Sequence, residues 1–507
     1  MKIPSLQIRH LAARWLAVGT MLVCTVNAAL GEEPKESSAE KKEKEKEPKE
    51  TKTVTEAEVS VGGQKIAYTA TAGTLPLTKA YGEPRASVFY VAYVRKDGGD
   101  LGKRPITFCF NGGPGSSAVW LHLGAFGPRR VAIPNGGTSP PAPPYQLVPN
   151  EFSVLDASDL VFIDPVSTGF SRVEKGEDAK QFHGYREDLE SVGDFIRRFV
   201  SKNGRWASPK FLAGESYGGL RAAGLAGHLQ ERYGMYLNGI AIVSGVVDFK
   251  TLASDAGNDL PYILYLPSMT AVAHFHKKLP GELQEDLVAA TKESEAFAMG
   301  DYAAALLRGN ALAKTDLDKT AARLARLTGL SADYWVRQRL RVDIGSFRNK
   351  LLEAENRVVG RFDARITVDA TSNDDPSYSL VYGAYATLLN AYVRGDLKFE
   401  SDLPYEILTR DVQPWSYASF TNRYVNASSP LADALTDNPN LRVFVACGHH
   451  DLATPPFAIR FTIDHLPFEP ARSSAVSYGF YDGGHMMYTN LESLKKLSAD
   501  MRAFIQK

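Results

Sequence analysis

Short apolar segments that alternate with amphipathic ones are the feature of this sequence that most restricts its fold. Between about Glu56 and Phe249, runs such as PITFCF and DLVFI are mostly apolar and lead into glycine or proline, whereas YREDLESVGDFIRRFV carries apolar residues at helical spacing. Runs of the first kind are typical of buried strands and runs of the second kind of helices. Their alternation predicts an α/β protein with a mostly parallel sheet and helices on both of its faces.

This pattern is interrupted once and then returns. Residues 250–366 contain helix-like segments separated by proline or glycine, with no strong strand-like run. We interpret them as an inserted helical cap that covers the functional site and sets substrate choice. Strand-then-loop units reappear in residues 367–507, which end in an amphipathic helix. The sequence therefore predicts a core made of residues 56–249 and 367–507.

The first 55 residues have a different character. Residues 1–28 combine early basic residues with the apolar run WLAVGTMLVCTV and a small residue at Ala28, as an export signal peptide does. The run is too short for a transmembrane segment. Residues 29–55 are rich in Glu and Lys and predict a disordered linker. We expect an exported protein (periplasmic, cell-surface or secreted) cleaved after Ala28 or, as a second choice, after Gly31, with lipidation at Cys24 as the alternative to ordinary cleavage.

Charge and cysteine content limit the possible ligands. Lys plus Arg and Asp plus Glu both number 58, so no excess of positive charge predicts a nucleic-acid partner. No Cys/His cluster has metal-ligand spacing, and we expect neither a metal nor another cofactor. Beyond the signal peptide the cysteines are Cys109 and Cys447. They end predicted strands about three positions (~14 Å) apart, beyond the reach of a disulfide, so we expect both to stay unpaired.

Three residues with complementary chemistry follow predicted strands. Ser216 lies in GESYG between a strand and a helix, as a nucleophile elbow requires. Asp451 and His485 follow two later strands, so all three should meet at the carboxyl edge of the sheet. A serine nucleophile needs a histidine to accept its proton and an acid to orient that histidine. The chain order Ser, Asp, His is that of α/β-hydrolases, which predicts this fold with Ser216, Asp451 and His485 as a catalytic triad.

A glycine-rich loop forms a fourth element of the predicted site. NGGPGSS, residues 111–117, follows the strand PITFCF directly. Consecutive glycines allow backbone N–H groups to point into a cavity, as an oxyanion hole requires. A phosphate-binding loop is the alternative, but no Gly-Lys-Ser/Thr follows.

Several motifs together resemble the serine carboxypeptidase family: NGGPGSS, DPVSTGFS, GESYGG, GHHDLATPP and GGHMM. The resemblance runs from about Val59 to the C-terminus. It implies release of C-terminal residues from peptides or proteins through an acyl-enzyme intermediate. It also implies an oxyanion hole from the backbone N–H groups of Gly113 and Tyr217. The substrate's terminal carboxylate would be bound by Asn111, Gly112 and Glu215.

The acidic residue before the nucleophile has a specific meaning in this context. An ionised Glu215 would repel a substrate carboxylate, whereas a protonated one would donate a hydrogen bond to it, so we expect its pKa to be raised. The sequence departs from the family pattern at Cys109, Ser116 and Ala125, where the family has tryptophan, cysteine and glutamate. The resemblance therefore implies weaker support for the carboxylate-binding network and no disulfide at that loop.

Two other functions remain open at this point. The first is an esterase or acyltransferase of the same fold, since the choice of acyl acceptor would lie in the cap. The second is a non-catalytic binding protein on a hydrolase scaffold, which the complete set of catalytic residue types argues against.

Overall fold

A mixed β-sheet with helices on both faces forms the centre of the fold. The computed structural model describes residues 50–372 and 375–507. In this part of the chain there are fourteen strands: β1 (Thr51–Val61), β2 (Gln64–Thr78), β3 (Pro84–Arg95), β4 (Ile106–Phe110), β5 (Arg129–Val131), β6 (Leu147–Pro149), β7 (Asp159–Ile163), β8 (Arg172–Val173), β9 (Lys210–Glu215), β10 (Gly239–Val243), β11 (Arg357–Val359), β12 (Thr367–Asp369), β13 (Arg442–Gly448) and β14 (Val476–Tyr481).

Ten of these strands form the central sheet, in the order β1-β2-β3-β7-β4-β9-β10-β13-β14 with β8 paired to β3. From β7 to β14 every neighbouring pair is parallel, and β1, β2 and β3 form an antiparallel extension at one edge. The pairs β5–β6 and β11–β12 form two small separate sheets. Parallel neighbours align their carboxyl ends, so the loops after β4, β9, β13 and β14 meet at one edge.

Twelve α-helices accompany these strands in the described ranges. They are α1 (Tyr185–Lys202), α2 (Tyr217–Tyr233), α3 (Leu260–Phe275), α4 (Leu287–Phe297), α5 (Ala303–Arg308), α6 (Lys314–Thr328), α7 (Ala332–Arg337), α8 (Ile344–Lys350), α9 (Pro376–Gly395), α10 (Ser428–Asp437), α11 (Pro456–Asp464) and α12 (Leu491–Gln506). A π-helical segment, Leu121–Phe126, follows the glycine-rich loop.

The alternating side chains of the strands divide the core into two layers. In β9, Phe211 and Ala213 pack in the cluster that contains α9 and α12, whereas Leu212 packs in the cluster that contains α1, α2 and α10. Helices therefore cover both faces of the sheet, as predicted from the alternation of segments.

Residues 250–366 contain the six helices α3 to α8 and a third apolar cluster. This cluster joins the core through Leu452, Phe457 and Ala458, which belong to the loop after β13 and to α11. The insertion is thus packed against the loop that carries Asp451.

The start of the ordered core differs from the sequence prediction. The predicted signal peptide and residues 29–49 lie outside the described residues. Residues 51–55, which we assigned to the linker, belong to β1 and pair with residues 70–74 of β2. The Thr53 hydroxyl donates to the Leu397 carbonyl over 2.8 Å. This contact joins segments far apart in the chain, so the sequence pattern does not predict it.

The cysteine prediction is confirmed. Cys109 lies in β4 and Cys447 in β13, three positions apart in the sheet, and both are free and buried. Among residues 50–372 and 375–507, no helix has the length and apolar character needed to cross a membrane.

Candidate active site

The turn between β9 and α2 holds Ser216 in a strained conformation. Its φ is 62° and its ψ is −127°, a region that non-glycine residues rarely adopt. A Cβ on Gly214 would lie 2.0 Å from the Gly218 carbonyl oxygen, so the turn closes only with glycine there. Glu215 on one side of Ser216 is buried, and Ser216 itself is partly exposed. This geometry is that of the predicted nucleophile elbow.

Asp451 and His485 are brought together by the loops after β13 and β14. His485 Nδ1 donates to Asp451 Oδ2 over 2.8 Å, and both side chains are buried. Asp451 Oδ1 accepts from the backbone N–H groups of Ala453 and Thr454 at 2.7 and 3.0 Å. The Thr454 hydroxyl lies 2.8 Å from Asp451 Oδ2 and 2.7 Å from the Ser244 carbonyl. The carboxyl group of Asp451 is therefore held in place by hydrogen bonds from its own loop.

The environment of His485 supports a basic imidazole. Burial lowers its pKa, but the charge and hydrogen bond of Asp451, with a further contribution from Glu215, raise the pKa above its ordinary value. The ring of Phe362 lies 5.2 Å from the imidazole, centre to centre. Ser216 and His485 line the same cavity, and no hydrogen bond joins their side chains. A catalytic hydrogen bond of this kind often forms only when substrate binds.

The backbone around His485 is held by the segment that ends the insertion. The Phe362 carbonyl accepts from His485 N–H over 2.5 Å, and Asp363 Oδ2 accepts from Gly484 N–H over 3.2 Å. Asp363 forms a buried ion pair with Arg365. These contacts were not predicted, because residues 360–366 precede His485 by more than a hundred positions in the sequence.

The glycine-rich loop after β4 lies against the start of α2. A Cβ on Gly112 would be 2.4 Å from the Tyr217 backbone nitrogen, so the two segments are in direct contact. The N–H of Gly113 makes no hydrogen bond with a described residue, and Tyr217, as the first residue of α2, has no partner within its helix. Two neighbouring free donors beside Ser216 are the arrangement that an oxyanion hole needs.

Glu215 is a buried carboxyl group beside the candidate nucleophile. Burial raises its pKa from 4.5 to about 7, and this effect outweighs the lowering by His485, Tyr488 and Asn111. The Tyr488 hydroxyl donates to Glu215 Oε2 over 2.7 Å. The expectation of a raised pKa agrees with this environment. Tyr488 was not predicted, although it lies only three residues after His485.

The side chain of Asn111 lies beside Glu215. Its Oδ1 accepts from Leu121 N–H over 3.2 Å, whereas its buried Nδ2 makes no well-aligned hydrogen bond and lies close enough to Glu215 to lower the pKa of that carboxyl group. Its backbone carbonyl accepts from Arg221, which is itself paired with Asp188 at 2.7 Å. A buried amide donor without a partner is costly unless a ligand accepts from it. Asn111 therefore offers a fixed donor close to Glu215.

The three departures from the family pattern have simple surroundings. Cys109 is buried in β4 and Ala125 in the π-helical segment. The Ser116 hydroxyl accepts from Trp120 Nε1 over 3.1 Å and donates to the Ser117 carbonyl. Glu215 accepts a hydrogen bond from Tyr488. The ring of Tyr488 packs against Gly124, the residue before Ala125.

These groups open into one cavity of about 520 Å³. The predicted residues that line it are Asn111, Gly112, Gly113, Glu215, Ser216, Tyr217 and His485. Asp451 lies behind His485 and does not line the cavity. Of residues 250–366, only Leu252, Arg361 and Phe362 reach the cavity wall, so the two ends of the insertion lie at the site.

The cavity wall also contains residues that sequence reasoning did not identify. They are Pro114, Ser116, Trp120, Val246, Phe249, Tyr378, Leu408, Thr409, Arg410, Gln413, Ala453, Thr454 and Met486. Several belong to residues 376–413, which we had assigned to the second part of the core. Thr409 and Arg410 lie in LTRDVQP, a stretch without a recognisable motif. They reach the site because Thr409 N–H donates to the Gly115 carbonyl over 3.0 Å. In the described ranges no group of three or more His, Cys, Asp or Glu residues is arranged to bind a metal ion.

The fold and the positions of these residues define an α/β-hydrolase. The family model for serine carboxypeptidases matches residues 64–491, most of the chain. This chain belongs to the serine carboxypeptidase family, and both the fold prediction and the family resemblance are confirmed.

Two curated sequences and one solved structure show how this chain relates to known proteins. The pheromone-processing carboxypeptidase KEX1 of Saccharomyces cerevisiae strain S288c is 32% identical over 160 residues, which cover 29% of this chain and 20% of the yeast protein. The KEX1 sequence of strain JAY291 is 33% identical over 139 residues, or 26% of this chain and 17% of that protein. The aligned region thus spans about a fifth of these relatives. The crystal structure of KEX1(delta)p from Saccharomyces cerevisiae shares the fold, with a TM-score of 0.52 and 17% identity over 86% of this chain and 91% of that one.

Proposed function

We propose that this protein is a serine carboxypeptidase that releases the C-terminal residue of peptides or proteins. Membership of the family supports the reaction class, and the chemistry of the cavity supports the substrate class. The observation that carries the proposal is Glu215, a buried carboxyl group with a pKa of about 7 beside Ser216. Esterases need a nucleophile and an oxyanion hole, but a protonated acid at this position serves a substrate that brings its own carboxylate.

In the proposed mechanism Ser216 Oγ attacks the carbonyl carbon of the last peptide bond. His485 accepts the serine proton, and Asp451 stabilises the resulting imidazolium and fixes its orientation. The N–H groups of Gly113 and Tyr217 stabilise the negative charge that develops on the carbonyl oxygen. His485 then protonates the amine of the released amino acid, which leaves an acyl-enzyme on Ser216. Water, activated by His485, hydrolyses this ester and restores the free serine.

Recognition of the terminal carboxylate is assigned to Asn111, Gly112 and Glu215. The Nδ2 of Asn111 and a protonated Glu215 would each donate to one carboxylate oxygen, and Gly112, where a side chain would collide with the elbow, lets the glycine-rich loop lie directly against it. When Glu215 ionises, the same contact becomes a repulsion between two anions at low dielectric. Binding of a free-acid peptide should therefore depend on the protonation of Glu215, whereas binding of an amide should not.

The proposal is tested by comparing a blocked dipeptide with a free C-terminus and the same dipeptide as its C-terminal amide. We expect faster hydrolysis of the free acid at pH 5 to 6, measured as kcat/KM by release of the C-terminal residue, and labelling of Ser216 by a fluorophosphonate probe. The matched control is the Ser216→Ala variant, which should neither hydrolyse the peptide nor react with the probe.

Other outcomes would identify the alternatives. Equal rates for acid and amide at every pH would favour an esterase, and transfer of the acyl group to an added alcohol in preference to water would favour an acyltransferase. Absence of both hydrolysis and probe labelling would indicate a non-catalytic binding protein.

We also propose that the protein is exported. The support is the pattern of residues 1–28 alone: a basic start, an apolar run and a small residue at Ala28. N-terminal sequencing of protein recovered after expression in a bacterial host should give a chain that starts at Ala29. A mature chain that begins with a lipid-modified Cys24 would replace simple cleavage by lipidation, and an intact N-terminus in the cytoplasm would contradict export.

A further inference from the structure

Two arginines line the active-site cavity without a partner. Arg361 and Arg410 both belong to the cavity wall, and both are exposed. Neither guanidinium forms an ion pair or a hydrogen bond with a described residue; that of Arg361 lies over the Phe362 ring, 5.3 Å from its centre. A planar guanidinium presents a fork of donors that matches a carboxylate, and stacking on an aromatic ring leaves these in-plane donors free.

The cavity contains little negative charge to neutralise them. Glu215 is the one carboxylate among the described residues of the wall, and it is buried and tied to Tyr488. With a pKa of about 7, it is largely uncharged in acid solution. Below neutral pH, no ionised carboxylate of the described cavity wall therefore opposes Arg361 and Arg410. Asp375, which does not line the cavity, accepts from the Arg361 backbone N–H and is paired with Arg348.

The position of Arg361 indicates which part of a substrate it meets. It directly precedes Phe362, whose carbonyl accepts from His485 N–H and whose ring contacts the imidazole. Its own carbonyl accepts from Leu452 N–H over 3.1 Å, next to Asp451. Arg361 thus lies on the wall that carries His485, the group assigned to protonate the departing amine. In the proposed mechanism the residue being released lies on this side of the cavity, because His485 protonates its amine.

Arg410 lies on the wall formed by the glycine-rich loop. Thr409, its neighbour, donates its N–H to the Gly115 carbonyl, and Ser116 forms a β-bridge with Leu408. The two arginines therefore approach the cavity from different segments of the chain, one beside His485 and one beside the candidate oxyanion hole.

We propose that the cavity selects peptides with acidic side chains next to the scissile bond, and that Arg361 binds the side-chain carboxylate of a C-terminal Glu or Asp. Arg410 adds positive charge beside the glycine-rich loop and favours an acidic residue before the scissile bond. This inference rests on the proposed carboxypeptidase function and names its substrate class.

The test uses two blocked dipeptides that differ only in ending with Glu or with Gln. Both carry the same terminal carboxylate and nearly the same side-chain shape, so the ratio of their kcat/KM values at pH 5.5 reports the side-chain charge alone. We expect the Glu peptide to be favoured about twofold to fivefold at low salt, the range for a solvent-exposed ion pair. The ratio should fall as salt is added.

Substitutions then show which of the two arginines causes the preference for each acidic side chain. Arg361→Gln should bring the ratio close to one, and Arg361→Glu should reverse the selection, so that a peptide ending in Lys is hydrolysed faster than one ending in Gln. A second pair of peptides, with Glu or Gln before the scissile bond, should respond to Arg410→Gln. Arg423→Gln is the matched control, since Arg423 is an exposed arginine that does not line this cavity and should leave both ratios unchanged. Fluorophosphonate labelling of Ser216 confirms that each variant is folded.

The outcomes separate this inference from the function on which it rests. Equal rates for the Glu and Gln peptides in the wild-type protein would overturn the acidic selectivity and leave the carboxypeptidase proposal intact. An equal fall in kcat/KM for both peptides in the Arg361→Gln variant would show that Arg361 binds the terminal carboxylate. That result would also overturn the acidic selectivity. Hydrolysis of neither peptide by a protein that still labels at Ser216 would overturn both proposals.

Discussion

Replacing Glu215 by Gln should widen the pH range over which free-acid peptides are hydrolysed. The amide keeps a donor for the substrate carboxylate but cannot ionise, so the loss of binding at high pH disappears. The profile of kcat/KM against pH for a free-acid peptide should rise as His485 loses its proton and fall as Glu215 ionises. Below about pH 7 Glu215 is already protonated, so the substitution leaves the low-pH limb nearly unchanged. The high-pH limb alone should move to higher pH.

The size of the effect follows from the pKa of about 7 for Glu215. Only the protonated form binds a carboxylate well, and its population falls about tenfold for each pH unit above the pKa, so at pH 8 wild-type kcat/KM should be about a tenth of its plateau. The Gln variant should lose no more than about twofold over the same range, since only its remaining groups titrate.

The same group predicts a change in stability with pH. A carboxyl group whose pKa is raised in the folded state stabilises the fold below its unfolded pKa, and this contribution is lost as pH rises through the folded pKa. For a rise from 4.5 to about 7, at about 1.4 kcal/mol per pH unit, the loss is about 3 kcal/mol. Between pH 4.5 and pH 8, the free energy of unfolding of Glu215→Gln, measured with urea, should rise relative to that of the wild type by up to this amount.

The assay measures kcat/KM from pH 4 to pH 9 for a peptide acid, its amide and a simple ester, with wild type and Glu215→Gln in parallel. The amide and ester carry no terminal charge and serve as internal controls that follow His485 alone. If the wild-type and Gln profiles for the free acid coincide at high pH, Glu215 does not bind the substrate carboxylate and the reasoning is refuted.

Three further predictions concern other residues of the site and core. Ser216→Ala should reduce peptide hydrolysis to below about a hundredth of wild type with an unchanged circular dichroism spectrum, since only the oxyanion hole and binding remain; a higher residual rate would assign the nucleophile elsewhere. Tyr488→Phe removes a hydrogen bond that lowers the pKa of Glu215, so the high-pH limb for peptide acids should shift to higher pH; a shift to lower pH would contradict this role. Alkylation without reductant should modify Cys109 and Cys447 only after denaturation, as seen by peptide mass mapping, and a protein that resists alkylation when unfolded would contain a disulfide.

The positions of the candidate triad could be anticipated because they depend on local patterns and one topological rule. Each of Ser216, Asp451 and His485 follows a buried strand, and parallel strands align their carboxyl ends. The turn at Ser216 is also local, since its glycines are visible in the sequence and a Cβ at Gly214 would overlap with the Gly218 carbonyl. The structure brings these residues to one edge, and their catalytic roles remain predictions.

The supporting contacts could not be anticipated because they join distant segments through loops. Phe362 and Asp363 hold the His485 loop from the far end of a helical insertion, and Arg410 reaches the cavity from a segment with no motif. Nothing in the periodicity of a sequence specifies which irregular segments will cross. The start of β1 at Thr51 could not be predicted either, because pairing with β2 sets this boundary and the charge composition alone does not.

The direct succession of Glu215 and Ser216 along the chain has a consequence for where a substrate can be cut. Consecutive Cα atoms are always about 3.8 Å apart, so the group proposed to grip the end of the substrate and the group proposed to cleave it are joined by a single peptide bond that cannot stretch. Their backbone positions are therefore fixed relative to each other more rigidly than any contact between loops could fix them. The protein should release one residue at a time from the end of a peptide and leave its internal bonds uncut, while the side chain of the released residue changes only the rate.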